Sequence, residues 1–165
     1  MAQQHSVCSL NPPQYSCPSP DLLQIQFSGV NVENCGENYS KSLFSELNAV
    51  TYTEAVQSEK YTLVLTDPDA PRHEEGEAWL HWIHTGLKGS DLSQGKLTGH
   101  DLVVYNPPTP PKGTGTHRYA LFLYREEGQQ QDTSVRKRGR FSLHQYAERN
   151  GLCGPLAMNM FTTKF

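Results

Sequence analysis

Apolar and polar positions alternate with a period of two through several parts of the chain. In "LLQIQF", Leu23, Ile25 and Phe27 fall on one side and Gln24 and Gln26 on the other, as in a half-buried strand. "YTLVLT", "AWLHWIH", "DLVVY" and "HRYALFLY" are short, rich in β-branched and aromatic residues, and bounded by Gly, Pro or Asp; each predicts a strand. In the first of these Tyr61, Leu63 and Leu65 point inward, and Asp67 continues that side. In "AWLHWIH", strict alternation sends Trp79, His81 and Ile83 one way and Leu80, Trp82 and His84 the other. In "HRYALFLY", His117 and Tyr119 share a face that Arg118 opposes. One helix is predicted: Ser142 and Gln145 form a capping box, Leu143, Tyr146 and Ala147 share a face, and Gly151 stops it. "NPPTPPKGTGT" holds too much Pro and Gly for regular structure. Many short strands with one helix give a mainly β chain, a β-sandwich with few, small peripheral helices.

Composition adds limits. A chain of 165 residues is most simply one domain, 1–165, with 1–20 a Pro- and Cys-rich N-terminal segment. Net charge is -3 and pI about 6.1, so no global field draws nucleic acid or a membrane surface. No apolar run reaches the ~18 residues of a spanning helix. No basic segment followed by an apolar one opens the sequence, so no signal-peptide pattern is visible. Four cysteines, Cys8, Cys17, Cys35 and Cys153, lack the close pairs of zinc sites and leave three disulfide pairings open. Three of them lie in a segment poor in apolar material, which gains most from covalent tethering. With the Asn38-Tyr39-Ser40 sequon they favour a secreted protein over one in a reducing compartment. "RKRGR", Arg136 to Arg140, reads as a solvated loop, with contact to acidic lipid or protein, or dibasic cleavage, as alternatives.

Candidate chemistry sits at strand ends. Pro68 removes a backbone donor and halts the ladder after Asp67, and Asp69 and Pro71 shape the corner. Both acids suit turn amides, and a cis Ala70–Pro71 bond suits the corner. His81 and His84 diverge on a strand, so a metal pair is not expected there. Pro110 and Pro111 stiffen the next loop, while Gly113 and Gly115 let amides approach a ligand. An Asp, two His and a Tyr at separate strand ends, with Trp and Pro beside them, suit a small zwitterion or a phosphate monoester. No Ser or Cys nucleophile lies near these motifs, which disfavours an enzyme, and no cofactor is expected.

These motifs resemble the phosphatidylethanolamine-binding protein family, which includes the Raf kinase inhibitor protein and the plant flowering regulators. The resemblance rests on Asp67-Pro68-Asp69-Ala70-Pro71, on the Trp79 to Gly89 block ending in "LKGSDL", and on the run Pro110 to Tyr119. Phe141 to Phe161, with a helix, Gly-Pro and a closing strand, looks like the family's C-terminal part. The likeness covers about residues 20 to 161. It implies a large central antiparallel sheet with a small second sheet, and an anion pocket at one end. Asp67, His81, His117 and Tyr119 would form the floor, Trp79 and Pro111 the walls, and Thr109 the rim. Asp69 and Arg118 would pair structurally beneath. Leu80 replaces the first of two adjacent histidines found in many animal members. Too few residues follow for the family's C-terminal lid helix, which is expected to be missing or truncated, leaving the pocket more open. The implied function is a monomeric, non-enzymatic module that binds phosphate-bearing or small anionic head groups and modulates a signalling partner. A serine-protease or kinase inhibitor acting through a surface loop is the second reading.

Overall fold

The computed structural model describes residues 8–17, 21–128 and 135–165. The strands are β1 Gln24–Phe27, β2 Asn31–Val32, β3 Glu37–Asn38, β4 Leu47–Thr51, β5 Lys60–Asp67, β6 Trp79–Lys88, β7 His100–Val103, β8 His117–Glu126 and β9 Leu152–Thr163. Two helices, α1 Gly89–Leu92 and α2 Leu143–Arg149, accompany them, with a 3-10 turn at Lys41–Phe44. Three strands form a small sheet in the order β2-β1-β4, and six form the large one in the order β3-β9-β8-β5-β6-β7. The large sheet is antiparallel except at its edge, where β3 joins β9 in parallel through Glu37 and Asn38. β9 reaches to within two residues of Phe165.

The large sheet is buried on both faces, which is why β5 and β8 read as nearly continuous apolar runs. One face meets the small sheet: Tyr61, Leu63, Leu65, Trp82, Tyr119 and Leu121 pack with Ile25, Phe27 and Val50. The other face, with Val64, Leu80, Ile83, Phe122 and Tyr124, is covered by Phe141 and by Leu143, Tyr146 and Ala147 of α2. The predicted helix face is the buried one. Of the predicted capping box, Ser142 accepts the Gln145 amide at 3.3 Å.

The N-terminal segment is fastened over this second face. Cys8 is bonded to Cys153 and Cys17 to Cys35. Gly154 and Asn11 exchange backbone bonds with the segment, Gly154 N–H to Ser9 O at 2.9 Å and Asn11 N–H to Gly154 O at 2.8 Å.

Two local expectations are corrected. Alternation fails along β6: Leu80 and Ile83 join one core cluster and Trp82 the other. The register shows why, since Leu65 pairs with Trp82 while Thr66 pairs with Leu80, and His81 bulges out between them. The Ala70–Pro71 bond is trans; among the described residues the cis bond is Gly154–Pro155.

Candidate functional site

Strand β5 delivers Asp67 to the end of the large sheet, where Pro68 stops the ladder. The side chain is buried, with 3% of its surface exposed. Its Oδ1 accepts the Asp69 amide at 2.7 Å and its Oδ2 meets His117 Nδ1 at 2.7 Å. Burial raises the Asp67 carboxyl above its usual value, against the bond and charge of His117. His117 opens β8, and its Nε2 lies 2.8 Å from Thr114 Oγ1. That hydroxyl donates to Pro111 O at 2.6 Å. A carbonyl cannot donate, so the single Thr114 hydrogen goes to Pro111 and Nε2 must donate to Thr114. Gly113 and Gly115, at φ 82° and 78°, let the loop fold Thr114 back over the ring.

The Asp67–His117–Thr114 row has the spacing of a nucleophile–base relay, but its polarity is reversed. An imidazole whose Nε2 gives away its hydrogen cannot take one from a hydroxyl. Two residues along β8, Tyr119 stacks beside His117 with ring centroids 6.3 Å apart. Burial and the facing Asp67 push its phenol far above the usual range.

The β6 bulge brings in His81, edge-on to Tyr119 at 5.3 Å. His81 Nδ1 donates to Asn106 O at 2.7 Å. Burial, together with the charges of Arg138 and His117, lowers its pKa to about 4, despite the Asn106 bond. The ring is therefore neutral at pH 7. Trp79, Thr109 and Pro111 line the same cavity. All seven residues proposed from sequence thus line one cavity of about 560 Å³, joined by Ala70, Pro71, Arg72 and His73 of the corner.

Beneath the corner, Asp69 takes a bidentate grip from Arg118, Oδ2 to Nε at 2.9 Å and Oδ1 to Nη2 at 2.8 Å, and accepts the Arg118 amide as well. Burial alone would raise Asp69, but these bonds outweigh it and hold the carboxyl below its usual value. Arg118 also donates to Tyr15 O at 3.0 Å, which ties the N-terminal segment to the site. One carboxylate therefore faces the cavity and its neighbour braces the corner.

Three contributors were not read from sequence. Asn106 and Thr114 act through hydrogen bonds to histidines that no pattern signals. Arg138, in the run read as a solvated loop, lays its guanidinium against Leu80 O, His81 O and Val104 O at 3.2, 3.0 and 2.8 Å. It clamps the bulge that carries His81. His84 faces elsewhere, with Nδ1 2.7 Å from Asp101 Oδ1 and Nε2 2.6 Å from Thr98 O. Among the described residues, the one close grouping with metal-ligand atoms joins Cys8, Glu127 and Cys153, whose sulfurs are bonded to each other.

The family profile described as "Phosphatidylethanolamine-binding protein" matches residues 15–161. The CEN-like protein 1 of Nicotiana tabacum is 37% identical over 106 residues, covering 63% of this chain and 58% of that protein. The chain thus matches under two thirds of that relative's length. A carboxypeptidase Y inhibitor, solved in complex with its cognate proteinase, superimposes with a TM-score of 0.69 at 20% identity, over 87% of this chain and 83% of the inhibitor. The phosphatidylethanolamine-binding protein from Plasmodium vivax gives a TM-score of 0.65 at 22% identity, over 88% of this chain and 87% of its own. At these identities the two structures establish a shared fold.

Proposed function

The chain belongs to the phosphatidylethanolamine-binding protein family, and from that premise we propose that it is a binding module for small anionic, phosphate-bearing head groups. The observation that carries this reading is the convergence of four segments on one cavity. An acid–imidazole pair, a second imidazole and a phenol line it together with a Trp and a Pro. The floor is held rigid by hydrogen bonds made before any ligand arrives, which lowers the ordering cost of binding. The reversed polarity at Thr114 supports binding over hydrolysis. Modulation of a signalling partner is the consequence that family membership suggests for an occupied pocket. The two disulfides support a secreted setting, because such bonds persist in oxidising compartments.

NMR titration tests the reading. Phosphate or phosphoethanolamine at millimolar concentration should perturb the ring signals of His81 and His117, and His117→Ala should abolish the response. Unmoved rings would exclude it.

A further inference from the structure

The floor offers an entering anion fewer hydrogens than its polar side chains suggest. His117 already directs Nδ1 at Asp67 and Nε2 at Thr114. The Tyr119 hydroxyl faces the Asp67 carboxylate. His81 commits its one hydrogen to Asn106, so Nε2 carries a lone pair. No protein partner meets that nitrogen among the described residues, and the ring lines the cavity. On the floor an oxyanion would therefore meet hydrogens that are already committed and, at His81, a lone pair that repels it.

We propose that an anion enters this cavity together with one proton from solvent, held between the anion and Nε2 of His81. The inference rests on the anion-pocket reading above and narrows it, to ligands whose affinity rises as pH falls. The proton adds to Nε2 and leaves Nδ1–H on Asn106, so no existing bond is broken. The other groups around His81 cannot take this part. Asp67 from β5 has its oxygens bonded to Asp69 and His117. Both nitrogens of His117 on β8 are engaged, and Tyr119 already carries its hydrogen. His73, from the corner, accepts the Arg140 amide on Nε2 at 3.0 Å and turns Nδ1 to the carbonyls of Ala70 and Pro71. Arg72 and Arg138 are permanent cations. Arg138 holds the backbone carbonyl of His81 itself, and among the described residues its partners are carbonyls and not carboxylates. Its charge resists protonation of the empty site, and an anion in the cavity offsets it. The His81 ring thus stays neutral when the cavity is vacant and gains its proton on occupancy.

Sulfate is the discriminating probe, because its conjugate acid is too strong to carry a proton near neutral pH; any proton taken up is the protein's. Calorimetric titration with sodium sulfate near pH 6, in two buffers of different ionisation enthalpy, should show uptake approaching one proton per sulfate. Affinity should tighten up to tenfold per pH unit as pH falls from about 7 to about 5. His81→Asn should bind sulfate without proton uptake. Imidazole ¹⁵N spectra of the native protein give a readout independent of that variant's folding: Nε2 of His81 should move from its lone-pair to its protonated position as sulfate is added. Binding with no proton uptake, or uptake unchanged in His81→Asn, overturns the inference while the anion pocket stands. No binding of sulfate or phosphate at tens of millimolar overturns both.

Discussion

His81 and His84 stand three residues apart on one strand and are buried alike, at 2% and 6% exposure, yet they do opposite things. At the far end of β6, His84 directs each ring nitrogen at an oxygen, Asp101 on one side and Thr98 on the other. Asp101 also accepts the Trp82 indole at 2.8 Å, so neither nitrogen of His84 is left open. At the near end His81 has one partner and one open nitrogen against a cavity. The sequence presents both as histidines beside a tryptophan. What separates them is the bulge, which turns one ring into the pocket, and the neighbour that does or does not occupy the second nitrogen. A buried histidine is structural when its hydrogen bonds are complete and is available for chemistry when they are not.

The sharpest way to break this contrast is to remove each network's acid. Asp67→Ala leaves His117 Nδ1 and the Asp69 amide without their partner in a buried site. The expected loss of stability, read by urea unfolding, is about 4 kcal/mol, since an uncompensated buried group costs far more than the net worth of its bond. The ring response to phosphate should vanish with it. Asp101→Ala should cost less, about 1–2 kcal/mol, because that side chain is 39% exposed and water can replace the lost oxygen. The ring response to phosphate should survive unchanged. Loss of that response in Asp101→Ala would mean that the two ends of β6 are not separate.

Acid should sharpen the difference further. His81 has a native pKa of about 4, below its ordinary 6.5, so between those values the unfolded chain binds more protons than the native one. Stability from this group is present above about pH 6.5 and is lost as pH falls toward 4, by on the order of 3 kcal/mol. His81→Asn should flatten that part of the pH–stability curve. Sulfate should restore stability to the native protein in the same window, because a ligand that binds only the folded, protonated form opposes the loss.

Much of this arrangement was legible in the sequence, for physical reasons that also mark where legibility ends. Strands β1, β5, β7 and β8 announce themselves because each combines branched or aromatic residues with an abrupt stop. The α2 face is readable because its apolar spacing and Ser142 cap agree. The short strand β4, "LNAVT", lacks both cues: only Val50 is fully buried. The His81 bulge is invisible because it depends on register with β5, a property of two strands rather than of one. Asp67, His81, His117 and Tyr119 were found through motifs at strand ends. Their tuning by Asn106, Thr114 and Arg138 was not, since a carbonyl, a folded-back hydroxyl and a guanidinium on backbone oxygens leave no periodic trace. Arg138 is the clearest instance, sitting in a basic run whose other members, Arg136, Lys137 and Arg140, are exposed.

That residue also carries the smallest expected effect. Its guanidinium is half-exposed, so Arg138→Met should reduce stability by only about 1–2 kcal/mol, as three carbonyls exchange a charged donor for water. The informative change lies in titration. Arg138 holds the backbone carbonyl of His81, whose ring burial already keeps neutral, and its positive charge opposes a second one there. Without it, protonation of His81 becomes easier, and its NMR titration should move upward from about 4 toward the ordinary value. The pH at which sulfate binding strengthens should move upward in parallel, whereas Arg138→Lys, which keeps the charge but not the fork, should leave that midpoint nearly in place while weakening the clamp. A midpoint that follows the fork instead of the charge would show that Arg138 acts by holding the bulge in register, with His81 tuned by burial alone.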